Sequence, residues 1–168
     1  MKVTLYMATT ANGYIAKEND DTSWISNEEW SSYSEFIQKA GNLIIGHRTY
    51  DILIKQPEFI ELEKVKIIIV SNSEFKTLAP HHIVAKTPKE ALGLLNNFEE
   101  IAIAGGSILN MAFLQEGLID EVYIDVEPIF LGKGIPLFNQ EDFECKLTLL
   151  GQKRLSEDVI QLHYKVRK

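Results

Sequence analysis

Basic residues are in deficit: 17 lysines and arginines stand against 24 aspartates and glutamates, for a net charge of -7. Binding a nucleic-acid backbone normally needs a basic face, so a nucleic-acid partner is not expected. Cysteine is nearly absent. Cys145 stands alone, which excludes an intrachain disulfide and a multi-cysteine metal site and suits a reducing cytoplasm. Long hydrophobic runs are missing too, and no stretch approaches membrane-spanning length. The opening "MKVTLYMATTANGYIA" is interrupted by threonines, asparagine and glycine, unlike a signal peptide. Internal repeats, low-complexity tracts and interdomain linkers are also lacking. What is there is 168 residues, 45% of them hydrophobic, enough for a sizeable core in one domain spanning residues 1–168.

Apolar residues fall into strand-like and helix-like patterns in turn. Val3 to Thr9 reads as a strand ending at the turn signal Asn12-Gly13. Leu43 to Ile45, Val65 to Val70 and Ile101 to Ala104 are short apolar runs of the kind buried in parallel sheets. Between them Trp30, Tyr33, Ile37 and Ala40 recur at helical spacing with Gly41 as the stop, and "TPKEALGLLNN" opens with a proline suited to a first helical turn. Right-handed crossovers follow from that order. After Val122 to Val126 the pattern changes. Lys146 to Leu150 and Val159 to Val166, joined through "LSED", read as an antiparallel pair.

Two strand-to-helix joints attract notice. In "EEIAIAGGSILN" the glycines Gly105 and Gly106 separate an apolar strand from a helix for which Ser107 is the expected N-cap. Glycine tolerates backbone angles closed to other residues and has no Cβ, so the joint serves either as a tight turn or as a seat for a phosphate on the first helical amides. "LIIGHRTYDIL" repeats the logic at Gly46, with His47, Arg48 and Thr49 entering a helix. If the two strands are neighbours in a parallel sheet, both joints lie at its carboxyl edge, where open α/β sheets bind ligands. Ser71 and Asn72 follow a third strand, "KIIIV". An extended ligand with several phosphates, such as a dinucleotide, suits this set.

"NGYIA", "LIIGHRTYDIL", "IIIVSNS" and "IAIAGGSILNMAFLQEGLIDEVYIDVEPIFLGKGIPLF" together resemble the dihydrofolate reductase superfamily over nearly the whole chain. "LIDEVYIDVEPIFLGKGIPLF" is similar, more closely, to the reductase domain of the bifunctional riboflavin-biosynthesis deaminase-reductase and to stand-alone bacterial proteins built from it. The resemblance implies a three-layer α/β/α fold around a mixed, mostly parallel sheet with an antiparallel C-terminal strand. It implies an NADPH-dependent reductase and a cis peptide between Gly105 and Gly106. Matched position by position, Gly46, His47, Arg48 and Thr49 form one cofactor-side joint, Gly105, Gly106, Ser107, Ile108 and Leu109 the other, Ser71 lies near the adenosine 2′-phosphate, and Ala8 and Ile15 lie around the nicotinamide. His47 and Ile108 stand where dihydrofolate reductases often carry basic residues. The early lysine and the acidic residue before Gly13 that are common in riboflavin-pathway reductases are missing, as are the zinc-binding residues of the deaminase half.

On the substrate side the resemblance points to Asn12, Trp24, Asp125 and Glu127 as lining residues and to Glu29, five residues after Trp24, as the acid that supports substrate protonation. "SNEE", Ser26 to Glu29, reads equally as a capping box, in which the serine and the glutamate satisfy each other's backbone donors. Asp125 and Glu127 share a strand face that points either to a ligand cleft or to solvent. "EPIFLGKGIPLF" is a shaped loop, either a chain reversal or a substrate wall. His81 and His82 are expected as solvated strand-edge residues, since neighbours on a strand point to opposite faces and no partner stands at ligand spacing. The expected activity is hydride transfer from NADPH to a small heterocycle, such as 5-amino-6-(5-phosphoribosylamino)uracil of riboflavin biosynthesis. Dihydrofolate reduction and a non-catalytic nucleotide-binding module are the alternatives. A small-molecule partner is expected, a membrane is not, and a homodimer is left open.

Overall fold

The computed structural model describes residues 1–139 and 141–168. In chain order it contains β1 (Lys2–Thr10), β2 (Tyr14–Ala16), α1 (Asn27–Ala40), β3 (Asn42–Gly46), α2 (His47–Leu53), a 3₁₀ turn (Pro57–Leu62), β4 (Lys66–Val70), β5 (His82–Ala85), α3 (Pro88–Gly93), β6 (Glu100–Ile103), α4 (Ser107–Gln115), β7 (Glu121–Glu127), β8 (Ile135–Pro136), β9 (Leu147–Arg154) and β10 (Ile160–Val166). Eight strands form one sheet in the order β5-β4-β3-β6-β1-β7-β10-β9. The first six run parallel. β10 is antiparallel to β7, and β9 is antiparallel to β10, so β10 alone opposes the common direction.

Strict alternation along the central strands builds two apolar layers. Ile44 and Ile68 face the layer that holds Ala91, Leu92 and Leu95 around α3 and Leu109 and Phe113 of α4. Leu43, Ile45, Ile67 and Ile69 face the other layer, with Tyr33 and Ile37 of α1, Tyr50 and Leu53 of α2, and Phe59 and Leu62 of the 3₁₀ turn. The fold is a three-layer α/β sandwich of the dihydrofolate reductase type. Among the described residues no helix is long and apolar enough to cross a membrane.

The helix ends follow local chemistry. α1 is capped by Ser26 and stops at Gly41, which is left-handed (φ 69°) and donates its N–H to the Ile37 carbonyl. α3 starts with Thr87 as cap and Pro88 behind it. α4 departs from expectation. Its N-cap is Gly106, and Ser107 is the first helical residue rather than the cap. The expected strand from Lys146 to Leu150 runs on to Arg154, so "LSED" is a tight reversal in which Leu155 N donates to Val159 O at 2.9 Å.

His82 also departs from expectation. It is buried under α2, with its Nδ1 at 2.9 Å from the Tyr50 hydroxyl. That hydroxyl also accepts from Leu78 N at 2.8 Å. Burial and the neighbouring His81 push the His82 imidazole down to about 4, and it remains neutral as a core group.

Candidate active site

β3 and β6 are neighbours, with Ile44 opposite Ile103, so the two glycine joints lie side by side at the carboxyl edge of the sheet. They are tied together, since Gly46 N donates to Gly105 O at 2.8 Å. Gly105 has φ +85° and the Gly105–Gly106 peptide is cis. A Cβ on Gly105 would lie 3.2 Å from the Met7 side chain, and one on Gly106 would lie 3.3 Å from Thr49 Oγ1. A side chain at either position would be crowded, and at Gly105 the positive φ disfavours one besides. Immediately beyond, Ser107 Oγ is buried without a hydrogen-bond partner among the described residues.

The remaining residues matched to the cofactor side surround these joints. His47 stacks flat on Phe75, with ring centroids 3.7 Å apart. Ser71 Oγ accepts from Ser73 N at 3.1 Å and lies 3.5 Å from His47 Nδ1. Thr49 is half-buried beside Gly106, and Leu109 is in the core. Arg48 reaches away from the joint, with Nη2 2.6 Å and Nε 2.7 Å from Asp20 Oδ2. Ile108 is 76% exposed, at the outer side of the first turn of α4. Ala8 and Ile15 are buried on β1 and β2.

Two strands further across, on β7, the same edge becomes acidic. β1 and β7 are in register so that Ala8 sits opposite Asp125 and Thr10 opposite Glu127. Both carboxylates are buried under α1, so neither faces solvent. Asp125 Oδ2 accepts from the Tyr6 hydroxyl at 2.6 Å and Oδ1 accepts from Gln161 Nε2 at 2.9 Å. Gln161 also donates to Tyr6 at 2.8 Å, and Ser32 Oγ lies 2.7 Å from that hydroxyl. Glu127 Oε1 accepts from both Ser26 N and Ser26 Oγ, at 2.9 and 2.7 Å.

The capping box is therefore only half formed. Ser26 Oγ accepts from Glu29 N at 3.2 Å as expected, but the return bond to Ser26 N comes from Glu127. Glu29 turns inward instead. It is 4% exposed, and its carboxyl accepts no hydrogen bond from any described residue. Burial, reinforced by the charges of Asp125 and Glu127, raises its pKa well above the usual carboxylate range. Burial likewise raises Asp125 to about 6, against the opposing pull of its bonds from Tyr6 and Gln161. The cluster holds protons at a pH where ordinary carboxyls have lost them, which is the property required of a general acid.

Two other matched residues hold the rim. Asn12 is tied to the loop after β7, donating to Leu131 O at 2.7 Å and accepting from Leu131 N at 3.2 Å. That loop returns as β8, which pairs with β2 through Tyr14 and Pro136. Trp24 is half-buried, with its Nε1 unpartnered among the described residues. Sequence reasoning missed Tyr6, Ser32 and Gln161. Alternation along "TLYMATT" already puts Tyr6 on the face of Ala8 and Thr10, but nothing local says that Gln161, 155 positions later, comes to lie beside it.

Residues 1–161 match the RibD C-terminal domain family. YwjB of Bacillus subtilis is 32% identical over 175 residues, covering 97% of each chain. A riboflavin biosynthesis protein of Shewanella sp. PV-4 superposes over the full length of both chains with a TM-score of 0.82 at 22% identity. A Thermotoga maritima diaminohydroxyphosphoribosylaminopyrimidine deaminase/5-amino-6-(5-phosphoribosylamino)uracil reductase superposes on 99% of this chain and 56% of its own, with a TM-score of 0.74 at 19% identity. A buried acid pocket beside paired glycine joints thus sits on a scaffold shared along its whole length with these proteins, and the chain belongs to the RibD C-terminal domain family.

Proposed function

We propose that this protein is an NADPH-dependent reductase acting on a small planar heterocycle, of the type of 5-amino-6-(5-phosphoribosylamino)uracil. The observation that carries the reading is a buried carboxyl without a hydrogen-bond partner among the described residues, Glu29 of α1, beside the β7 carboxylates and two strands across the sheet from the glycine joint that follows β6. The residues present fit a dinucleotide. A side chain would be crowded on the Gly105–Gly106 backbone and Ser107 Oγ is a buried hydroxyl without a partner among the described residues, so a pyrophosphate would complete the joint. Gly46, Thr49, Gly106 and Ser107 would hold the phosphates, Ser71 and His47 the adenosine end, and Ala8 and Ile15 the nicotinamide side. When bound, the reduced cofactor supplies the hydride.

The chain's own residues do the rest. Glu29, whose pKa burial raises well above the usual carboxylate range, delivers a proton to the substrate heteroatom that receives the electron pair. Asp125 and Glu127 keep Glu29 protonated by their charge, and Tyr6 and Gln161 keep Asp125 in place. Burial under α1 excludes water from the transfer.

The inward turn of Glu29 also favours a second reading, dihydrofolate reduction, because the carboxyl is not engaged in the cap. NADPH oxidation followed with the ribosylaminopyrimidine and with dihydrofolate at equal concentration separates the two. Turnover of the pyrimidine supports the first reading. Dihydrofolate turnover that collapses in Glu29→Gln, with the pyrimidine inert, establishes the second. Tight NADPH binding with turnover of neither makes the protein a binding module.

A further inference from the structure

An acid that gives up a proton at every turnover has to be recharged, and burial keeps bulk water from doing so directly. Glu29 is 4% exposed, Tyr6 1% and Asp125 0%. The proton therefore travels through protein groups.

Tyr6 Oη lies 2.6 Å from Asp125 Oδ2 and 2.7 Å from Ser32 Oγ. A phenol has one hydrogen to give. With that hydrogen on the carboxylate, Tyr6 accepts from Ser32 and, at 2.8 Å, from Gln161 Nε2, whose other N–H holds Asp125 Oδ1 at 2.9 Å. The result is a directed chain of hydroxyls, Ser32 to Tyr6 to Asp125, running from the half-buried flank of α1 to a fully buried carboxyl. Ser32 stands three residues after Glu29 on α1, so the two are neighbours on one helix face. Ser26 is the other hydroxyl on a pocket carboxylate. It donates to Glu127 and accepts from Glu29 N, so its chain ends at a backbone amide.

Resting on the reading of Glu29 as proton donor, we propose that Ser32, Tyr6 and Asp125 form the proton inlet that recharges it. A solvent proton adds to Ser32 Oγ while the serine's own proton passes to Tyr6 Oη and the tyrosine's passes to Asp125 Oδ2. Asp125, now a neutral acid, hands its proton to the Glu29 carboxylate. One proton enters for each one delivered to substrate, and rotation about the C–O bonds resets the chain. Burial, with the Asp125 charge, holds the Tyr6 phenol well above its ordinary value, so Tyr6 releases a proton only as it receives another. Burial lifts Asp125 to about 6, where it both takes up and releases a proton near neutral pH.

Proton uptake by the full chain without substrate tests this. A light-released proton lowers the pH, and the infrared carbonyl band of the protonated carboxyl, assigned to Glu29 by its loss in Glu29→Gln, reports arrival. Ser32→Ala and Tyr6→Phe are each expected to slow the rise of that band by roughly tenfold or more, and Ser32→Thr to restore it. Ser32→Ala keeps the bond between Tyr6 and Asp125, so if Tyr6→Phe fails to fold, the two serine variants decide. In turnover of the ribosylaminopyrimidine, Ser32→Ala is expected to leave the first turnover at wild-type speed and to lower the steady rate. Uptake equally fast in wild type, Ser32→Ala and Tyr6→Phe would overturn the inlet and leave Glu29 as the acid. A wild type that turns over neither the pyrimidine nor dihydrofolate would overturn the reading of Glu29 as donor, while uptake in the substrate-free chain still decides the inlet.

Discussion

Glu29 and Asp125 are carboxyls whose folded pKa lies above the unfolded one. Between those two values the folded chain binds more protons than the unfolded chain, so stability falls as pH rises. For Asp125 the window runs from 3.8 to about 6; for Glu29 it opens at 4.5 and extends upward. Urea unfolding followed across this range should show that decline. Glu29→Gln should flatten it and stabilise the protein above the window. The same change should lower kcat by roughly 10²- to 10⁴-fold, the usual worth of a general acid. A flat pH profile with an unaltered variant would refute the buried-acid account. Tyr6→Phe tests the neighbouring link. Without that hydroxyl, Asp125 should titrate above 6, read by NMR, and stability should drop by about 1–3 kcal/mol, mostly at pH values where Asp125 is ionised.

At the scale of elements, Ser26 joins helix and sheet, since its hydroxyl caps α1 while its hydroxyl and amide both serve Glu127 on β7. Ser26→Ala should therefore cost more than an ordinary cap, about 2 kcal/mol or more in chemical denaturation, because Glu127 also loses a donor. Ser26→Thr should recover most of it. The same residue marks the limit of what could be read in advance. Strand runs, the Gly41 stop, the Pro88 start and both glycine joints were legible, because each depends on neighbours within a few positions. The fate of the Glu29 carboxyl was not. "SNEE" carries a complete local instruction for a capping box, and it is overridden by Glu127, 101 positions away from Ser26. His82 was misread for the same reason: it does stand on the edge strand β5, but the packing of α2 puts Tyr50 over it and takes it out of solvent. Ser107 lost the cap to Gly106 because the glycine pair sets where the helix begins.

For the molecule as a whole, a ligand that binds only the folded state adds stability of about 2.7 kcal/mol at a hundredfold excess over its Kd. NADPH should accordingly raise the melting temperature, and Gly106→Val, which forces a side chain against Thr49, should abolish most of that gain. Arg48→Ala, which removes a side chain paired with Asp20 away from the joint, should leave that gain unchanged. Equal shifts in all three proteins would remove the dinucleotide from the account. The position of β1 has a further consequence, one of kinetics. It lies between β6 and β7, pairing Val3 with Ile101 and Thr10 with Glu127. β1 thus has no sheet neighbour until β6, which begins 90 residues after β1 ends. Contacts so distant in sequence close slowly, and during translation the apolar stretch from Val3 to Ala8 waits exposed. Its threonines and the small Ala8 keep that waiting strand less adhesive than an unbroken run of isoleucines would be, and a chaperone that shields nascent chains is the natural companion of such a topology.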